Sequence, residues 1–170
     1  HEPGVSLAVV GATGAVGSDL LETLAQSELP VRDLRLLASA GSAGEFIEVD
    51  ERRLRVHPLP ESCLESALFE GVDLVFFCAT NDVTKEHAYA LAEEGIGVID
   101  IGGALAGDLP FSVAGLIENI EVFAEHRIAC TPAAPSLMLL RVLEPLLSLD
   151  LVGVRATAML SACSFGRQGM

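Results

Sequence analysis

Residues 5–24, VSLAVVGATGAVGSDLLETL, decide the fold. The opening run, Val5 to Val10, is apolar except for Ser6, as in a strand covered on both faces. From Val16 onward the apolar positions Val16, Leu20, Leu21 and Leu24 recur at helical spacing. Gly11, Gly14 and Gly17 stand between strand and helix as G-x-x-G-x-x-G. At such a junction the first glycine permits the tight turn, the second lets a pyrophosphate approach the backbone, and the third lets helix and strand pack closely. The free amides at the helix start then face the phosphates. Glycines at this spacing also make a plain tight turn. The strand before them and the helix after them favour the dinucleotide reading.

The rest of the chain repeats the alternation. LRLLAS (34–39) is a second apolar strand, FIEV and LRVHPL form a minor hairpin, and ESCLESALFEG is a short helix. VDLVFFCAT (72–80) is apolar from Leu74 to Ala79, as expected in a parallel sheet. NDVTKEHAYALAEEG is a helix that stops at Gly95. GVIDIGG, FSVAGLI and HRIAC supply further short strands. Strands alternating with helices predict an α/β fold, a Rossmann-like doubly wound sheet. Two prolines near 131–135 place a boundary after it, giving a dinucleotide-binding domain over 1–132. Residues 133–170 are then the incomplete beginning of an α+β second domain. SLMLLRVLEPLLSLD is apolar on nearly every side and is expected to be buried. LVGVRATAMLSACS, with Val152, Val154, Ala156, Ala158, Leu160 and Ala162 alternating, is expected to be a half-buried strand.

Composition narrows the partners. A net charge of −14 without a basic cluster argues against nucleic acid, which needs grouped Lys and Arg. No run approaches the ~20 apolar residues of a membrane helix, so no membrane partner is expected. The start, HEPGVSLAVV, lacks a basic leader, which favours the cytoplasm. Cys63, Cys78, Cys130 and Cys163 are widely separated, and small buried apolar side chains are the favoured reading over zinc or a disulfide framework. His57, His87 and His126 read as surface histidines.

A strand-to-helix junction recurs at ACTPAAPSLM (129–138), where a helix N-terminus is suited to an anionic nucleophile. The only hydroxyls there are Thr131 and Ser136, beside prolines and alanines.

Taken in order, GATGAVGSDLLETL, PVRDLRLLASAGSAG, GVDLVFFCAT, GVIDIGGAL and the terminal GRQGM resemble aspartate-semialdehyde dehydrogenase, in register along essentially the whole chain. The resemblance implies a longer, homodimeric protein whose second domain carries catalysis. The family interconverts β-aspartyl phosphate and its semialdehyde with NADP, through a cysteine thioester. Its cysteine motif, Asn-Pro-Asn-Cys-Ser-Thr, falls here on Thr131-Pro132-Ala133-Ala134-Pro135-Ser136, so Ala134 holds the nucleophile's place.

Other polar roles change in the same direction. The family's Asp-Asn-Ser-Ser-Ala-Phe-Arg falls on Asp100-Ile101-Gly102-Gly103-Ala104-Leu105-Ala106, so Ala106 stands for the phosphate-binding arginine. Pro-Glu-Val-Asn becomes Ala114-Gly115-Leu116-Ile117, and the assisting glutamine aligns with Leu160. Cys163, near Arg167, is the weak candidate for a substitute thiol.

Cofactor contacts are expected from Gly11, Thr13, Gly14, Ala15, Val16 and Gly17, from Ser39 and Ser42, from Ala79 and Thr80, and from Gly166. NAD sites place an acid after the second strand and NADP sites a cation. Here the segment is Ser39-Ala40-Gly41-Ser42, where the family usually offers Arg-Ser, and nearby Glu45 repels a phosphate. NAD or NADP is therefore expected to bind weakly and without strong preference. The function expected is a semialdehyde-dehydrogenase-like, NAD(P)-binding relative without the thioester chemistry. The alternative is an oxidoreductase acting on another aldehyde or acyl substrate.

Overall fold

The computed structural model describes residues 4–113, 115–116, 120–150 and 152–159. Its strands are β1 (Val5–Val10), β2 (Val31–Ala38), β3 (Phe46–Val49), β4 (Arg52–Pro58), β5 (Leu74–Phe77), β6 (Gly97–Asp100) and β7 (Ile128–Cys130). Its α-helices are α1 (Ala15–Ala25), α2 (Asn81–Glu93), α3 (Ile120–His126) and α4 (Ala134–Leu143). The strands form one sheet in the order β3-β4-β2-β1-β5-β6-β7. All neighbours are parallel except β3 and β4.

Central β1 explains the unbroken apolar run. Leu7 and Val9 join a core with Leu21 of α1, Leu34, Leu36, Val56 and Phe76. Ala8 and Val10 point the other way, into a core with Leu37, Phe77, Leu91 of α2, Val98 and Ile128. Alternate residues therefore serve opposite faces, and both faces are covered. From β1 the chain moves outward to β2 and then returns to the far side as β5. That reversal opens a crevice at the carboxyl ends of β1 and β5, where doubly wound sheets bind ligands.

The doubly wound α/β expectation holds, and several details differ. The 46–58 hairpin is no appendage, because β4 also pairs in parallel with β2 and extends the main sheet. Residues 61–71 contain only a single 3-10 turn at Ala67–Phe69. The 111–117 segment contributes an isolated bridge, Phe111 to Cys130, in place of a strand. Helix α3 was not expected. His87 is buried, because Thr84, His87, Ala88, Leu91 and Ala92 form the inner stripe of α2.

The largest differences follow residue 133. Helix α4 and the 3-10 segment Glu144–Leu149 bury no residue, and Met138, Val142, Leu147 and Leu149 are 63–71% exposed. Residues 152–159 are exposed and form no strand. An extended segment becomes a sheet strand only when a neighbour takes up its amides and carbonyls. Among the described residues no strand pairs with it.

Candidate functional site

The first glycine turn is set by contact. Gly11 has φ +89°, and a Cβ there would lie 2.7 Å from the Cys78 carbonyl carbon and oxygen. A Cβ on Gly17 would strike the Gly11 carbonyl and come 2.9 Å from Ala12 Cα. These two glycines bring the loop against β5 and hold α1 against the turn. Gly14 caps α1 and is exposed. Its amide donates to Gly11 O at 3.0 Å, and Ser18 makes the next bond, to Gly14 O at 2.9 Å. The amides of Ala15, Val16 and Gly17 belong to the first turn of α1, ahead of any i→i−4 partner, and suit a phosphate. The exposed glycine beside them leaves room for that group.

Beside this turn stands the loop after β2. Thr13 Oγ1 donates to Ser42 Oγ at 3.3 Å, linking the two loops. Ser42 is buried, whereas Ser39, Gly41 and Glu45 are exposed. On the other side lie Ala79 and Thr80, directly after β5. The expected contact residues from 11 to 80 thus gather along the carboxyl edge of β1, β2 and β5. Gly166, Cys163 and Leu160 lie outside the described residues, as do Ala114, Ile117 and Arg167.

The edge continues through β6 and β7. Asp100, wholly buried, ends β6. Its Oδ2 accepts the Leu105 amide at 2.8 Å and the Cys130 thiol at 3.1 Å, while Oδ1 has no partner among the described residues. Thr131 Oγ1 lies 3.2 Å from Asp100 O and 3.0 Å from Ile101 O. Its amide donates to Asp100 O at 2.9 Å. A Cβ on Gly103, at φ +71°, would sit 3.2 Å from Thr131 O and 3.9 Å from Ala133 N. The turn after β6 and the junction after β7 are therefore locked together.

At that junction Ala134 is the first residue of α4 and is exposed, with Pro135 next to it in the first turn. The position is an exposed helix start that carries only a methyl group. Cys130, four residues earlier, is buried, and burial together with the Asp100 carboxylate pushes its thiol up to about 12. Burial likewise raises Cys78 to about 12, and burial with Glu86 raises Cys63 to about 11. These three thiols are protonated packing groups at neutral pH. An apolar groove of about 600 Å³ flanks the junction, lined by Val113, Pro132, Leu137, Met138, Arg141 and Val142.

Asp100 and Thr131 were not marked as site residues by their local pattern. The available signal was an acid closing an otherwise apolar strand, which is costly unless its oxygens find donors.

A doubly wound sheet with a glycine turn at its switch point defines a dinucleotide-binding domain. Residues 6–119 match the family model described as semialdehyde dehydrogenase, NAD binding domain, and the chain belongs to this family. It is 38% identical over 169 residues to a USG-1 protein homolog of Pseudomonas aeruginosa, covering 98% of this chain and 49% of that protein. It is 31% identical over 168 residues to an aspartate-semialdehyde dehydrogenase of Campylobacter jejuni, covering 96% and 48%. A solved structure described as a probable aspartate-semialdehyde dehydrogenase from Pseudomonas aeruginosa superposes with a TM-score of 0.79 at 35% identity, covering 98% of this chain and 49% of that one. The chain thus spans about half the length of these relatives.

Proposed function

We propose that this chain is the nucleotide-binding half of a semialdehyde-dehydrogenase-like protein that retains the cofactor site and lacks the family's thioester chemistry. The observation that carries this reading is Ala134, exposed at the start of α4, while Cys130, the thiol nearest to it in sequence, is buried and protonated. Ala106, at the place of the family's phosphate-binding arginine, offers no charge to an acyl phosphate. The first-turn amides of α1 hold the pyrophosphate. The loops after β5 and β6 take the half of the cofactor beyond it. A bound NAD or NADP would supply hydride-accepting chemistry at that end of the crevice.

Cofactor binding is weak and nearly indifferent to the 2′-phosphate. Support comes from the exposed segment Ser39-Ala40-Gly41, which has no cation, and from the nearby exposed Glu45. A preference above ~100-fold, or ~2.7 kcal/mol, for NADP would show that a cation reaches the 2′-position from elsewhere. Residues 133–170 begin a second domain, and the full protein is a homodimer. The exposed apolar side chains of Met138, Val142, Leu147 and Leu149 support a further layer over α4.

The test pairs chemistry with turnover. Ala134→Cys should be alkylated readily, since the partial charge of a helix N-terminus lowers a thiol pKa. Neither it nor the wild-type protein should reduce NADP with aspartate semialdehyde and phosphate, because nucleophile, phosphate binding and orientation act together. Turnover by the wild-type protein would overturn the proposal. Turnover by the variant alone would show that only the nucleophile is missing.

A further inference from the structure

Gly102, the second residue after β6, is a glycine for which the backbone has no need. It lacks a left-handed φ, and a Cβ there would meet nothing closer than ordinary van der Waals contact. Its neighbours have a common chemistry. Ala79 O lies 3.7 Å from that point, Asp100 Oδ1 3.7 Å and Asn81 Oδ1 3.9 Å. Three oxygens, from the segment after β5, the first residue of α2 and the last residue of β6, thus surround the space of one missing side chain. The family motif places serine here, which would supply both bulk and a hydroxyl donor. This chain has neither.

One of the three oxygens needs a donor. Asp100 is 0% exposed, its Oδ2 is doubly engaged, and its Oδ1 has no partner among the described residues. Buried polar atoms are nearly always hydrogen-bonded, and an orphan at the edge of a crevice points to a group that arrives with N–H. Position narrows the group further. In the sheet, β6 lies two strands from β1, on the side away from β2. At about 4.8 Å per strand that is roughly 10 Å from the glycine turn. A dinucleotide with its pyrophosphate on α1 and its adenosine over β2 extends its other half toward this point.

We propose that the Gly102 cradle receives the carboxamide NH2 of the nicotinamide ring, whose two N–H donors go to Asp100 Oδ1 and Ala79 O, with Asn81 Oδ1 beside them. It thereby selects the carboxamide over the carboxylate of the nicotinic acid form. The proposal rests on the dinucleotide reading of the site and adds the residues that hold its reactive end.

Calorimetric titration of the protein tests it with NAD and NADP, each against its nicotinic acid analogue, and with ADP-ribose. The carboxamide forms should bind about tenfold or more tightly than the carboxylate forms, since the latter remove a donor and bring a charge against oxygens. Gly102→Ala should weaken NAD and NADP by about tenfold, toward the affinity of ADP-ribose, and leave ADP-ribose itself unchanged. Equal affinities for carboxamide and carboxylate, or wild-type NAD and NADP binding in Gly102→Ala, would overturn the cradle. That result would fit an ordered water at Gly102 and leave the adenosine half of the reading standing. Failure of every ligand to bind, ADP-ribose included, would overturn the dinucleotide reading and the cradle together.

Discussion

Gly17, in the first turn of α1, and Gly102, two residues after β6, both stand at the carboxyl edge of one sheet, and they do opposite things. Gly17 is filled in: the turn's own backbone occupies the space a side chain would need. Gly102 is left open: its missing side chain leaves a hollow bounded by oxygens. One glycine brings two elements together, and the other keeps groups apart. The same residue type at the same edge therefore serves close packing in one place and leaves open space in the other, and what decides is the distance to the nearest backbone.

The largest expected effect breaks the packed side of this contrast. Gly17→Ala forces a methyl into backbone that cannot yield and should cost about 3 kcal/mol, read from the urea midpoint. A loss below about 1 kcal/mol would mean that α1 can slide away from the turn without penalty.

Next comes the carboxylate between the two turns. Asp100→Ala leaves the Leu105 amide buried without its acceptor and removes the thiol's partner. The expected loss is about 1–3 kcal/mol in the same measurement. An unchanged midpoint would show that Asp100 contributes nothing to locking the turn after β6 to the junction after β7.

A third effect appears only at high pH. Cys78 and Cys130 are raised from an ordinary 9.0 to about 12, and Cys63 to about 11. The folded protein therefore keeps protons that the unfolded chain gives up above pH 9. Their contribution is complete below pH 9 and is lost progressively as the pH rises toward 12. Midpoints that stay level across that window would show that these thiols ionise as freely in the fold as in the unfolded chain.

The smallest effect sharpens the comparison. Gly102→Ala should change stability by less than about 1 kcal/mol, and in the stabilising direction, because alanine restricts the unfolded chain while meeting no clash. Destabilisation matching that of Gly17→Ala would erase the distinction between a glycine needed for packing and one that leaves open space.

Local pattern made most of the sheet legible. β1, β5 and α2 were readable because their apolar residues, period and stop signal at Gly95 lie within a few residues of one another. The glycine turn was readable for the same reason. His87 was misread, although its spacing with Thr84, Ala88, Leu91 and Ala92 carried the answer; a polar side chain on an inner helix stripe looks like a surface residue when judged alone. The apolar run from 136 to 150 announces something to be covered but does not say by what, and among the described residues it remains exposed.

What the sequence determined by itself is therefore the central strands with the helices after β1 and β5, the alternating α/β class, the glycine turn and the absence of a thiol at residue 134. These depend on residues close in the chain, where steric and hydrophobic periodicity act directly. Only the tertiary structure decided that β4 extends the sheet beside β2, that Cys130 meets Asp100 across thirty residues, and that Ala79, Asn81 and Asp100 turn their oxygens toward Gly102. Such contacts join residues far apart in the chain. Their geometry is set by strand order and register, which local spacing does not encode.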